Sequence, residues 1–309
     1  MVLKNILVTG ASGMVGRELL KALMQRNMGC IATSRTEPQS LPTDTKWRQW
    51  DLEKWKTSSE LDDLFPGVDA VIHAGAAVVT EVDNPEFWRH IFDVNVRATL
   101  CLGSWAFAKR IPFVFLSSAS VYANPEKRGI LESAPKTVRG IGGFYGLSKS
   151  MAEDVLLHFA GEGLRVCILR PSSVYGFGLP ERKMVTSFLM QASSNSTIEL
   201  SPPTDDEIDL LHVVDVANAA LKALAHEAWG VYNVSSGTPA TIAEIAGACV
   251  KVAGHGLVVV KSVHAARRPT SRFLLNNDAA RKAFGFSPSL SLEAGLARML
   301  QDLKGNSDK

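Results

Sequence analysis

Through its first half the chain alternates short apolar runs with longer segments of helical period. The segments are Asn5 to Thr9, Met14 to Arg26, Cys30 to Ser34, Asp69 to His73, Glu86 to Lys109, Phe113 to Ser117, Tyr145 to Ala160 and Arg165 to Arg170. Apolar runs of this length read as strands buried on both faces, and their alternation with helices reads as successive βαβ units. Because parallel crossovers are right-handed, a doubly wound parallel sheet is the expected α/β architecture. Beyond Pro171 the rhythm breaks. A Pro- and Ser-rich stretch, Ser193 to Thr204, separates a helix near Glu181 to Ala192 from a strand at Ile208 to Val213. Further helices are expected near Ile242 to Val252, Asp278 to Phe284 and Leu292 to Leu303. The division predicted is a nucleotide-binding domain over 1–172 and a smaller mixed α/β substrate lobe over 173–309, with 208–235 returning to the main sheet.

The first strand runs straight into Thr9-Gly10-Ala11-Ser12-Gly13-Met14-Val15-Gly16 and an amphipathic helix. Gly10 permits a tight turn, Gly13 lets backbone approach a pyrophosphate at the helix N-terminus, and Gly16 allows helix and sheet to pack closely. Such a glycine pattern says little alone, but at the first βα junction it reads as a Rossmann dinucleotide cradle. Ser12, Met14 and Val15 belong to the same turn. The second strand ends Ala32-Thr33-Ser34-Arg35, with no acidic residue to accept from an adenosine ribose. Arg35 instead suits a 2′-phosphate, which makes NADP(H) the expected cofactor and NAD(H) the alternative. Asp51-Leu52, after the next strand, is placed to hold the adenine ring. Arg17 is expected to face solvent.

Composition narrows the remaining classes. With 309 residues, 46% of them hydrophobic, the chain can bury a large core. A net charge of +2, from 33 basic and 31 acidic residues, offers no broad field for nucleic acid or an anionic membrane. The four cysteines, at 30, 101, 167 and 249, lack metal-ligand spacing and read as reduced structural residues. No apolar run reaches the roughly 18 residues of a membrane span, and the first strand leaves no room for a signal peptide. A soluble cytoplasmic protein without a metal site, nucleic-acid partner or membrane partner is expected.

Tyr145 and Lys149 stand four apart in a helical stretch and so share one face. A neighbouring ammonium favours phenolate, so the pair is expected to lower the tyrosine pKa from about 10 and to do acid-base work. Tyr-x-x-x-Lys alone is a weak signal. Here it follows the glycine cradle and the strand Phe113-Val114-Phe115-Leu116-Ser117-Ser118-Ala119-Ser120-Val121-Tyr122, which ends in hydroxyls where open α/β sheets bind ligands.

These motifs together resemble the extended short-chain dehydrogenase/reductase family, also called NAD-dependent epimerase/dehydratases. The likeness runs through Thr9 to Gly16, Asp51-Leu52, Asp69 to Ala76, Asn95-Val96, Ser117 to Tyr122, Tyr145 to Lys149, Leu169 to Gly176 and His212 to Ala217. It implies that Tyr145 is the general acid/base, that Lys149 holds the nicotinamide ribose and tunes the tyrosine, and that Ser118 bonds the reacting oxygen. Ser120 is the secondary candidate for that last role. The resemblance also places Ala74, Gly75 and Ala76 along the cofactor, Pro171 and Ser173 at its nicotinamide end, and Val78, Ser120, Ser173 and Arg268 toward a small-molecule substrate. Asn95, also a cofactor-site candidate, reads as mainly structural, and His73 and His212 as satisfied core histidines. The family commonly forms homodimers through helices of the Rossmann lobe.

The chain departs from nucleotide-sugar enzymes of that family at several positions. Ser173 replaces an asparagine, Ile208 an arginine, and Arg268-Pro269-Thr270-Ser271 stands where an Arg-x-Gly-Asp-like run is usual. Ile208 cannot supply the charge-assisted contact a diphosphate would take from arginine. Ala119-Ser120 replaces the Asp-Glu of dehydratases, which disfavours dehydration. The leading expectation is NADP(H)-dependent carbonyl reduction, or the reverse oxidation, on a keto-sugar nucleotide or small carbonyl metabolite. An NAD-dependent nucleotide-sugar epimerase and a non-catalytic NADP-binding sensor are the alternatives.

Overall fold

The computed structural model describes residues 5–38, 41–43, 45–78, 84–123, 128–137, 142–262 and 271–307. Seven parallel strands form the main sheet. In chain order they are β1 (Asn5–Thr9), β2 (Gly29–Ser34), β3 (Lys46–Gln49), β4 (Ala70–His73), β5 (Phe113–Leu116), β6 (Val166–Pro171) and a last strand, Gly230–Val234, paired with β6. Their spatial order is Gly230–Val234, β6, β5, β4, β1, β2, β3, so the winding direction reverses between β1 and β4. Ligands of open α/β sheets bind at such a switch point, outside the carboxyl ends of the strands.

The sheet is buried on both faces, as its unbroken apolar strands require. Along β1, Ile6 and Val8 turn toward one core while Leu7 turns toward the other, which is the two-residue alternation of a strand. Helices α1 (Met14–Gln25) and Val213–Ala225 cover the first face, packing Leu19, Leu23, Val216 and Leu224 against it. On the second face lie α2 (Ser58–Leu64), α4 (Ala98–Lys109) and α5 (Gly143–Gly161). Among the described residues, no helix is long and apolar enough to cross a membrane. All four cysteines are buried and free, and no cluster of metal-ligating residues occurs among the described residues.

A third core joins helices Met184–Ser193, Ile242–Ala253 and Leu292–Ser307 to the strands Thr197–Leu200 and Leu257–Val260. It packs Leu189, Ile198, Ile245 and Met299 together, and half-buried Ile208 lies against it.

Two elements differ from expectation. The single helix read over Glu86 to Lys109 is broken into α3 (Pro85–Phe92), a π-helical turn at Asp93–Arg97, and α4. The strand read over Ile208 to Val213 is two short strands, Glu207–Ile208 and Leu210–His212, which join different small sheets before a helix begins at Val213. Both misreadings arise where an apolar run continues while the hydrogen-bonding partner changes. Hydrophobic period alone carries no sign of that change.

Candidate active site

At the switch point, the turn after β1 meets the turn after β4. Gly10 has φ +67°, and a Cβ there would stand 2.6 Å from the Gly75 Cα, so only glycine lets these backbones touch. The cleft above them is lined by Gly10, Ser12, Gly13, Arg35, Asp51, Leu52, Ala74, Gly75 and Ala76, all singled out from sequence. Thr33, Ser34, Trp50, Ala77, His90 and Val94 complete the lining. Met14 and Val15 begin α1 just behind it, and Gly16 packs against the Gly10 carbonyl instead of facing the cleft.

The end of α1 at the cleft contrasts with two capped helix starts. Helices α2 and Ile242–Ala253 each carry a full capping box, Thr57 with Glu60 and Thr241 with Glu244. The N-cap of α1 is Gly13, with no side-chain cap and no acidic residue in the first turn. Its amides are therefore left for an anion, as a pyrophosphate site requires. The buried Thr33 hydroxyl in the cleft wall also has no partner among the described residues. These features fit a dinucleotide.

The end of β2 lines one side of the cleft. Ser34 is occupied elsewhere, donating to the Thr36 carbonyl at 2.7 Å and accepting from Trp47 Nε1 at 3.1 Å. Arg35 is exposed on the rim, and its guanidinium makes no hydrogen bond or ion pair among the described residues. Arg17 does not face solvent as expected. It is half-buried, with Nη1 donating to the Ser12 carbonyl and Nη2 to the Phe177 carbonyl, both at 3.3 Å, and its guanidinium lies over the Phe177 ring. It thereby ties the glycine turn to the loop beyond Ser173–Tyr175, a contact spanning 160 positions that local pattern cannot foretell.

At the other end, Ser118 caps a 3-10 turn, Ala119–Val121, at the carboxyl edge of β5. Its hydroxyl stands close enough to the Tyr145 phenol, in the first turns of α5, to favour the phenolate. Lys149, one turn further along, is 2% exposed. Its Nζ donates to the Leu116 carbonyl at 2.7 Å and stands 4.4 Å from the centre of the Phe115 ring. The three residues thus converge from two elements, and Ser120 joins them by donating to Ser118 Oγ at 2.8 Å.

The expected acidification of Tyr145 is not what this arrangement produces. Burial pushes its phenol up to about 12, and the nearby Ser118 hydroxyl opposes that only in part. Burial also brings Lys149 down to about 7, against the pull of the Glu153 carboxylate one turn away. The lysine thus stands near its midpoint at neutral pH, and the phenol keeps its proton there.

Asn95 acts on the site through backbone. From the π-turn it donates to the Ala77 carbonyl and accepts from the Ala77 amide, at 2.9 and 2.8 Å, and donates to Ser148 Oγ at 2.9 Å. It therefore clamps the cleft loop to α5, in keeping with its structural reading. His73 is neutral, held at about 3 by burial and by Lys149. The Gly75 amide donates to Thr9 Oγ1, and Thr9 lies 2.6 Å from His73 Nδ1. His73 Nε2 faces Thr99, which donates to the Asn95 carbonyl. His212 is less complete than expected: Nδ1 accepts from the Val214 amide, but buried Nε2 lacks a partner among the described residues.

A second unforeseen group lies beneath the site. Arg170 is bidentate to buried Glu153, at 2.9 and 2.7 Å, and Ser117 donates to the same carboxylate at 2.5 Å. The Glu-to-Arg pairing joins α5 to β6 directly below the Ser118 turn. Pro171 ends β6 buried, while Ser173 and Val78 are exposed. Arg268 lies outside the described residues, as does the rest of the Arg-x-Gly-Asp-like segment before Ser271.

The NAD dependent epimerase/dehydratase family matches residues 6–235. The chain belongs to this family. Like the rest of its extended short-chain dehydrogenase/reductase type, it is an NAD(P)-dependent enzyme, which sets aside the non-catalytic sensor. It is 28% identical to GDP-6-deoxy-D-mannose reductase of Pseudomonas aeruginosa, over 97% of each chain. It is 29% identical to UDP-glucose 4-epimerase of Azospirillum brasilense, over 95% of this chain and 90% of that one. Among solved structures, UDP-glucuronic acid 4-epimerase from Bacillus cereus in complex with NAD superposes with a TM-score of 0.81 at 19% identity, covering 98% of this chain and 99% of that chain. The last likeness bears on fold alone.

Proposed function

We propose that this family member is an NADP(H)-dependent carbonyl reductase, or alcohol dehydrogenase in the reverse direction, acting through Ser118, Tyr145 and Lys149. The observation that carries the reading is the convergence of Ser118, at the carboxyl edge of the sheet, with Tyr145 and with Lys149 one turn along the same helix. A nicotinamide cofactor held in this cleft would supply the hydride for the carbonyl carbon. Tyr145, protonated at neutral pH, gives its proton to the carbonyl oxygen, so ketone, hydride and proton balance to an alcohol. Ser118 orients that oxygen, and Lys149 holds a ribose hydroxyl and stabilises the phenolate left behind. Arg35, exposed on the rim beside an unavailable Ser34, takes the 2′-phosphate of NADP.

The substrate class is a keto-sugar nucleotide or a smaller carbonyl metabolite, in line with the full-length likeness to a sugar-nucleotide reductase. Ile208, packed against the substrate-lobe core, supplies no diphosphate contact. The likeness to UDP-glucose 4-epimerase favours a second reading, in which the hydride returns to the same substrate. The deciding experiment supplies cofactor-free protein with NADPH and a panel of 4-keto sugar nucleotides and simple ketones. One NADPH consumed per alcohol formed supports the reductase. An epimer formed from a sugar nucleotide without net change in cofactor absorbance establishes the epimerase.

The assembly proposed is a homodimer. Leu100 and Phe107 on α4, with Met151 and Leu157 on α5, are large apolar residues left exposed on neighbouring helices. Light scattering giving a monomer mass at micromolar concentration refutes the pairing.

A further inference from the structure

The hydroxyl of Ser120 donates to Ser118 Oγ at 2.8 Å, and the Ser120 amide donates to the same atom at 3.1 Å. A serine oxygen has two lone pairs and one hydrogen. With both lone pairs taken, Ser118 can act toward Tyr145 or the substrate oxygen only by donating its one hydrogen. Tyr145 then has no claim on the Ser118 oxygen, and its own hydrogen is directed elsewhere. We propose that Ser120 is a positioning residue that acts through Ser118, fixing Ser118 as a donor so that the Tyr145 proton is reserved for the substrate oxygen.

The local chain is built to keep Ser120 in this place. The backbone of Ser120 packs so closely on α5 that neither Gly142 nor Gly146 has room for a Cβ: at Gly142 it would stand 2.5 Å from the Ser120 Cβ, and at Gly146 it would collide with the Ser120 carbonyl. The two glycines flank Tyr145, so the helix that carries the phenol rests directly on the residue that orients its partner. Without the Ser120 hydroxyl, one lone pair of Ser118 is released. Ser118 can then rotate to accept from Tyr145, and the phenolic hydrogen is spent inside the protein instead of on the substrate. The structure therefore separates two hydroxyls that sequence alone ranks as competitors for one role: Ser118 faces the reacting centre, and Ser120 fixes Ser118 as a donor.

This inference rests on the proposed roles of Ser118 and Tyr145, and the experiment keeps the two apart. Steady-state kinetics are measured for Tyr145→Phe, Ser118→Ala, Ser120→Ala, Ser120→Thr and the Ser118→Ala/Ser120→Ala double variant, each checked for native circular dichroism and cofactor binding. Ser120→Ala should lower kcat roughly tenfold with little change in KM, the scale of one misdirected hydrogen bond. Ser120→Thr, which keeps the hydroxyl, should recover most of it. In the Ser118→Ala background, Ser120→Ala should have no further effect, because its only route of action is gone. Multiplicative losses in the double variant, or a rise in KM alone, would show that Ser120 contacts substrate directly and overturn the proposal. Normal kcat in Ser120→Ala beside an inactive Tyr145→Phe also overturns it while leaving the catalytic reading intact. Full activity in Tyr145→Phe instead removes the catalytic reading itself.

Discussion

The two ends of the cleft are built by opposite means. The end proposed to hold phosphate is made of backbone: Gly10 against Gly75, an uncapped first turn of α1, and Gly16 under the Gly10 carbonyl. The reacting end is made of side chains from distant elements, with Ser118 following β5, Tyr145 and Lys149 on α5, and Glu153 and Arg170 joined below them. The first depends on atoms being absent and the second on protons being in the right place. Changes at the two ends should therefore fail differently, the one by steric exclusion of cofactor and the other by loss of turnover with binding intact.

The largest effect is expected at the backbone end. Gly16→Ala puts a methyl into the Gly10 carbonyl and the Ala11 backbone, neither of which can move as a flexible side chain does. Cofactor binding should be lost, with a large drop in thermal midpoint, as measured by calorimetric titration and melting. Gly13→Ala, whose added carbon would stand 3.1 Å from the Gly10 carbonyl, should fold and bind weakly. If Gly16→Ala binds normally, the backbone account of this end fails.

At the reacting end, Tyr145→Phe keeps the ring and deletes the proton. Turnover should fall on the order of a hundredfold or more while NADPH affinity is unchanged. A parallel loss of cofactor affinity, measured by fluorescence titration, would erase the distinction between the two ends.

The pH dependence sharpens the same contrast. With Tyr145 at about 12 and Lys149 at about 7, the group that loses its proton first in the free enzyme is the lysine. The productive form carries both protons, so kcat/KM for reduction should be level below about pH 7 and decline as pH rises through it. Lys149 is faced by the Phe115 ring, the Leu116 carbonyl, Glu153 and neutral His73. A profile level to pH 9 would show that Lys149 stays charged in the working enzyme.

The smallest effect concerns Arg35, which joins the backbone-built end through a side chain. NADPH should bind at least about tenfold tighter than NADH, a difference of about 1.4 kcal/mol, and Arg35→Ala should abolish the gap. Equal affinities for the two cofactors in the unaltered protein would remove Arg35 from the site.

Much of this was legible because the requirements are local. Glycine spacing after the first strand, serine at the end of β5 and the four-residue step from Tyr145 to Lys149 all act within one turn of chain, where residue type and period limit the conformation. The π-turn at Asp93–Arg97 was hidden because helix runs on without a breaker residue from α3 through it into α4, while the turn directs Asn95 toward Ala77 and Ser148.

What the sequence determined by itself is the sheet, the cradle and the identities of the hydroxyl, phenol and ammonium, since each follows from side-chain volume, period or the lack of a Cβ. Only the tertiary structure decided their chemical state. The Tyr145 phenol is held above its ordinary range because buried surroundings withhold the solvation its anion needs, and those surroundings come from several separate segments of chain. The same holds for Arg17, whose partners lie 5 and 160 positions away, and for Arg170, which reaches Glu153 across two elements. Desolvation and hydrogen-bond direction are properties of a neighbourhood in space, and that neighbourhood exists only once the chain has folded.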